Sequence, residues 1–212
     1  MPPSRNDAIL DHLFSLPGSD RLFNPYDLSH PGGDIRRANL ARYLADMERR
    51  QPRALMLFEA PGYRGCALSG VPVTSERVML RGIDRWGLFG EGYRATSGRL
   101  DGVAELTASI LWPALEEYAP DPPLIWNTVP LHPHRPGDPG SNRAPTAAER
   151  RLGLDFIPAI LEHFQFETIM AVGRIAQGAL ASLGIEAIPL RHPSQGGKPD
   201  FIRGLAEIYR QK

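Results

Sequence analysis

The chain has 212 residues, 42% of them hydrophobic, which is enough to bury one core, and no linker-like change in composition divides it, so a single domain over residues 1–212 is expected. Its 24 basic and 24 acidic side chains cancel, so bulk charge exerts no pull toward nucleic acid, and the lone Cys66 excludes an internal disulfide, a four-cysteine zinc site and an iron–sulfur cluster held by this chain's cysteines. No apolar run approaches bilayer length and MPPSRNDAILDHL lacks the apolar core of a secretory signal, which predicts a soluble, cytoplasmic protein with no membrane partner.

Residues 7–16 and 38–50 carry apolar positions at helical spacing, Ile9, Leu10, Leu13 and Phe14 and then Leu40, Leu44 and Met47, with a Pro/Gly/Asn-rich loop between them. They form an N-terminal helical extension, residues 1–50, ahead of a core over about 54–210. The apolar run Ala54–Phe58 predicts a strand covered on both faces, ending at Glu59-Ala60-Pro61-Gly62. The Gly- and Arg-rich stretch 63–100 carries one candidate helix, over 75–85. A helix over 102–118 is stopped by Pro120, Pro122 and Pro123, and a second strand, Leu124-Ile125-Trp126, runs into Asn127. After a Pro/His/Gly loop, Thr146-Ala147-Ala148-Glu149 fits a capping box that opens a helix to about Phe164. A strand over 168–172, a helix over 174–183, a strand over 187–190, the tripeptide His192-Pro193-Ser194 and a terminal helix from about Asp200 complete the chain.

Strands alternating with helices predict an α/β fold, a three-layer α/β/α arrangement around a central, mostly parallel four-stranded sheet, because parallel neighbours need right-handed crossovers. Ligands of such sheets bind beyond the carboxyl ends of the strands. Glu59, Asn127 and His192 each follow a different strand, so residues distant in sequence converge on one crevice. Other constellations carry less. His132-Pro133-His134 with Asp138 sits in a proline-rich loop without a regular scaffold, so no metal is expected there. Cys66 has no evident activating base and reads as an inert thiol. Neither a Gly-x-Ser-x-Gly elbow nor a phosphate-binding loop ending Gly-Lys-Ser/Thr is present, which disfavours a serine hydrolase and a nucleoside-triphosphatase.

Phe58-Glu59-Ala60-Pro61-Gly62, Gly70-Val71-Pro72-Val73, Asn127-Thr128-Val129, Asn142-Arg143-Ala144-Pro145-Thr146-Ala147-Ala148-Glu149, Gly173-Arg174 and His192-Pro193-Ser194 resemble, in order, the signatures of the uracil-DNA glycosylase superfamily. The resemblance covers roughly residues 54–210. It is closest to the branch reading Gly-Glu-Ala-Pro-Gly, the iron–sulfur type, and to its cluster-free relatives. It implies a glycosylase of base excision repair, acting on uracil or another deaminated base, with DNA as partner; with the cluster cysteines absent no cofactor is expected, and the chain is expected to be a monomer. By that resemblance Glu59 and His192 are catalytic, Glu59 positioning or activating water and His192 donating to the charge that develops on O2 of the base. Asn127 reads the uracil amide edge, Ala60, Pro61, Gly62 and Val73 shape the base pocket, and Gly70, Pro72, Ser194 and Gln195 contact flanking phosphates.

Departures from the family pattern bear on activity rather than fold. The cluster cysteines are missing. Val73 stands where an aromatic usually stacks on the base, leaving Tyr63 or Phe89 as substitute rings. Ala60 occupies the place of another branch's catalytic aspartate, so water activation falls to Glu59. The loop after Ser194 reads Gln195-Gly196-Gly197-Lys198 in place of an apolar wedge, which predicts slow extrusion from a duplex and a preference for single strands or mismatches. The insertion from His132 to Ser141 lies near the crevice. A non-catalytic DNA or nucleobase binder and a small-molecule nucleotide hydrolase are the alternative readings.

Overall fold

The computed structural model describes residues 5–210. The first helix, α1 (Arg5–Ser15), is followed by a two-residue strand, β1 (Leu22–Phe23), and by α2 (Gly33–Arg50). α2 starts five residues before its apolar pattern because its first turns face neighbouring loops through polar side chains. Arg36 donates to the carbonyls of Pro25 and Pro31, and Asn39 donates to those of Ser69 and Arg94. Hydrophobic periodicity does not register such contacts.

β2 (Ala54–Phe58) is buried at every residue, as its unbroken apolar run predicts. Two short helices follow, α3 (Cys66–Ser69) and α4 (Glu76–Arg81), the second capped by the Ser75 hydroxyl. α5 (Leu106–Tyr118) starts later than the expected 102, because Gly102 takes φ +64 and packs its α-carbon against the backbone of Glu76 and Arg77. β3 (Leu124–Asn127) is entirely buried, and β4 (His132–Pro133) pairs antiparallel with β1, joining the 132–141 insertion to the N-terminal segment. That second sheet has no counterpart in the sequence reading.

The capping box at Thr146 is formed, but the helix it opens breaks in two, α6 (Ala147–Leu154) and α7 (Phe156–His163). Pro158 is the cause: it has no N–H for the Leu154 carbonyl, and its ring displaces that carbonyl. β5 (Thr168–Val172), α8 (Arg174–Ser182), β6 (Ile188–Leu190) and α9 (Lys198–Arg210) complete the described residues.

The main sheet has the order β3-β2-β5-β6 and every pairing in it is parallel. β6 lies at an edge, where Pro189 removes no bond that the sheet interior needs. Right-handed crossovers put α5 on one face and α6 to α8 on the other. α9 returns to pack on α5, while α1 packs on both α2 and α7. Phe58, Trp112, Phe156 and Phe201 are among the largest fully buried side chains, each stabilising the core by about 1.5–3 kcal/mol. Chain order changes direction between β2 and β5. Their carboxyl ends therefore splay their loops apart and open a crevice.

Candidate active site

The register sets the floor of that crevice. Phe58 lies opposite Asn127, Leu57 opposite Ala171 and Val172 opposite Leu190, so four strand ends finish side by side. The ladder continues past β3: Thr128 N–H and its hydroxyl both donate to the Phe58 carbonyl (2.7 and 2.8 Å), and Val129 N–H donates to that of Glu59 (2.9 Å). Gly153 of α6 seals this turn from behind. A Cβ there would lie 1.5 Å from the Thr128 carbonyl oxygen. Glu59 is thereby fixed through its backbone while its side chain turns into a cleft of about 1410 Å³.

Glu59 and His192 both line this cleft. The Glu59 carboxylate accepts no hydrogen bond among the described residues. Burial pushes its pKa above the usual 4.5, and the charge of Arg150 on α6 offsets this only in part. His192 stands on the edge of the Phe58 ring, with centroids 5.9 Å apart and planes at 84°. Its Nδ1 meets the Ser194 hydroxyl at 2.7 Å and accepts from the Ser194 backbone N–H at 3.2 Å. A backbone N–H can only donate, so Nδ1 is the acceptor and the neutral ring carries its proton on Nε2. Burial also holds the ring below its usual 6.5, although Glu105 pulls the other way. Gly173 approaches from β5, where a Cβ would touch His192 Cβ at 3.5 Å.

Asn127 lies deeper. It is 3% exposed, lines no part of the open cleft, and its Oδ1 is buried without a hydrogen-bond partner. Such an orphan acceptor costs about 1–3 kcal/mol, which marks the position for a donor that arrives from elsewhere.

Ala60, Pro61, Gly62, Val73, Ser194 and Gln195 all line the cleft. The Pro61 carbonyl is held by buried His132, whose Nδ1 donates to it at 2.7 Å while Nε2 faces the Pro139 carbonyl at 3.1 Å. The insertion thus braces the cleft wall from behind. Val73 is a β-branched residue at φ +48, held there in part by the Trp112 indole N–H donating to its carbonyl. Gly70 and Pro72 do not line the cleft and are buried. Gly70 ends α3 at φ +77 against the Arg36 backbone, where a Cβ would lie 2.5 Å from the carbonyl oxygen. Its glycine is required for packing on α2 and offers nothing to a phosphate. Phe89 is likewise a core ring, stacked on Tyr43 and edge-on to Tyr93 and Trp112, which leaves Tyr63 as the exposed aromatic beside the cleft.

Several cleft residues escaped the sequence reading. Glu105 caps α5 by accepting from Thr107 and Ala108 N–H and places its charge toward His192. Arg64 and Arg174 line the cleft, and Asn142 accepts the Tyr63 N–H at 3.0 Å. Glutamate is an unusual helix cap and the arginines follow no spacing rule, so the signals were the Gly173-Arg174 pair and the motif that opens at Asn142.

No family model and no curated protein sequence matches the chain. Its α/β architecture, a four-stranded parallel sheet flanked by helices, is the uracil-DNA glycosylase-like fold. Among solved structures, wild-type SMUG2 of Pedobacter heparinus shares it with a TM-score of 0.67 at 16% sequence identity, over 98% of this chain and 97% of that one.

Proposed function

We propose that the protein is a monofunctional DNA glycosylase of the uracil-DNA glycosylase superfamily, hydrolysing the N-glycosidic bond of uracil or another deaminated base. One observation carries this reading above the others. An unpartnered carboxylate and a neutral imidazole with its proton on Nε2 share a single cleft at the strand ends. Breaking an N-glycosidic bond builds positive charge on the sugar and negative charge on the base, so the site needs an anionic group on one side and a hydrogen-bond donor on the other. Glu59 serves the first need, holding a water or the sugar cation, and His192 Nε2–H serves the second.

The orphan Oδ1 of Asn127 suits an imide N–H of a base that enters the cleft, and its amide group supplies a donor beside it. Reaching this depth requires the base to leave the helical stack. A volume of about 1410 Å³ accommodates a nucleotide rather than a base alone. The resemblance noted in the sequence and the shared fold support the same assignment. Base excision repair follows as the process, with DNA as partner.

The test uses labelled oligonucleotides carrying uracil or hypoxanthine, single-stranded and in duplex, treated with alkali after incubation. Strand scission at the modified position is expected, fastest in single strands. Binding without scission on every substrate would replace the hydrolase with a nucleobase binder.

A further inference from the structure

A second groove, of about 660 Å³, opens beside the cleft and shares Tyr63 and Arg64 with it. Its other walls come from residues that do not line the cleft: Phe23, His30 and Arg36 from the N-terminal region, Arg99 and Val103 from the loop before α5, and Pro139 and Gly140 from the insertion. Its charged lining is basic throughout. Asp27 reaches His30 at 4.0 Å but does not line the groove.

Two of its cations are unengaged. The guanidinium groups of Arg64 and Arg99 form no hydrogen bond or ion pair among the described residues, and both residues are exposed. Arg36 differs: it is buried, bonded to the Pro25 and Pro31 carbonyls, and lies over the Phe23 ring at 5.6 Å, which makes it part of the groove's base. Arg99 is held in place indirectly. Buried Glu76 accepts from the backbone of Thr96, Ser97 and Val103, so the loop carrying Arg99 is tied down on both sides. Tyr63 presents a ring at the boundary between the two spaces, 36% exposed.

Free arginines on a fixed backbone, an exposed ring at the junction and no lining carboxylate suit a polyanion with flat bases. The groove shares Tyr63 and Arg64 with the cleft, so its occupant lies directly beside whatever the cleft holds. We propose that this groove carries the single-stranded segment flanking the target nucleotide, with Arg64 and Arg99 on its phosphates and a base on Tyr63. The inference rests on the glycosylase reading and extends it: neutral overall charge is compatible with DNA binding where free arginines line the path of the strand.

Binding is measured by fluorescence anisotropy of labelled single-stranded DNA across a salt series, together with base release from uracil- and hypoxanthine-containing strands. The variant carries Arg64→Ala and Arg99→Ala. Each lost phosphate contact lowers the slope of log K against log salt by about 0.7, so the pair should lower it by about 1.4, weaken binding about tenfold at low salt and raise KM while leaving kcat in place. Both side chains are exposed, so the thermal midpoint stays where it is. Tyr63→Ala weakens binding by a further factor of about ten with no change in slope. Arg85→Ala, at the far end of α5 beside Glu116, changes neither quantity. Wild-type affinity, slope and KM in the double variant would overturn the groove while leaving the glycosylase intact. A wild-type protein that releases no base and binds no strand overturns both.

Discussion

Glu76 and Glu59 are both carboxylates withdrawn from solvent, and their surroundings differ in kind. Burial alone would raise the pKa of Glu76, yet bonds from the Ser97 hydroxyl and from the backbone N–H groups of Val103, Thr96 and Ser97 hold it below 4.5. Glu59 receives no such bonds, and burial leaves it above that value. The same contrast runs through the molecule. In the frame, Glu149 takes a two-pronged bond from Arg143 at 2.5 and 2.8 Å and drops to about 2, while at the end of β3 Asn127 Oδ1 has no partner among the described residues. Glu76 and Glu149 are satisfied by the scaffold they build, whereas Glu59 and Asn127 Oδ1, at two strand ends, have no hydrogen-bond partner among the described residues.

The strongest way to break this contrast is Glu59→Gln. Removing a group that positions water should lower single-turnover base release by about 10²–10⁴-fold, or about 3–5 kcal/mol in the barrier. Because the folded-state pKa is raised, the ionised carboxylate opposes folding above that pKa, and the penalty fades as pH falls through it toward 4.5. Glu59→Gln should therefore raise the thermal midpoint at neutral pH and leave it unchanged in acid. Activity requires Glu59 ionised and His192 neutral. Burial holds Glu59 above 4.5 and His192 below 6.5, so the rate falls as acid protonates either group. A rate that peaks below pH 4.5, the ordinary carboxylate value, would remove Glu59 from the role.

Glu76→Ala tests the other half. It strands partly buried N–H groups at Thr96, Ser97 and Val103, and a loss of about 3–5 kcal/mol is expected, a fall of roughly 10 °C in thermal midpoint for a chain of this size. The stability that Glu76 contributes is present above the unfolded pKa of about 4.5 and is lost as pH falls below it, because its folded pKa is lowered. A loss below about 1 kcal/mol would mean that the loop is held by something else.

Much of this was legible in the sequence, for stated reasons. A short apolar run such as Ala54–Phe58, bounded by turn residues, reads as a strand covered on both faces, and Glu59 then falls at its end; His192 follows the short edge strand β6 by two residues, and both line the cleft. The Thr146–Glu149 box was visible because its spacing is its mechanism. What escaped depended on contacts distant in sequence: the first turn of α2, whose partners lie in other loops, the β1–β4 pair, and Glu105 opposite His192. Gly70 misled because a glycine that admits a phosphate and one that admits Arg36 look alike in one dimension.

Val73 sharpens the contrast on its apolar side. A β-branched residue at φ +48 is strained by about 1–3 kcal/mol, and it occupies the cleft wall where the family resemblance expects a ring. Val73→Phe removes the branch at Cβ and supplies a stacking face. Strand affinity should rise by about 1–3 kcal/mol, read as a lower KM for single-stranded substrate at unchanged salt slope. No gain would indicate that Tyr63 already covers the base.

The smallest expected effect belongs to Ser194, and it separates two roles for one side chain. Its hydroxyl meets His192 Nδ1 at 2.7 Å, while its backbone N–H, 3.2 Å from the same atom, already fixes the tautomer. Ser194→Ala leaves the backbone bond in place, so the imidazole keeps its proton on Nε2 and loses only part of its restraint. A positioning hydroxyl predicts a fall in kcat of about three- to tenfold, corresponding to about 0.5–1.5 kcal/mol, with KM and its salt dependence unmoved. A phosphate contact, as the family resemblance implies, predicts the reverse: KM rises, the salt slope falls by about 0.7, and kcat holds. The short bond to the ring favours the first outcome, because a hydroxyl that donates to Nδ1 has no proton left for a phosphate oxygen.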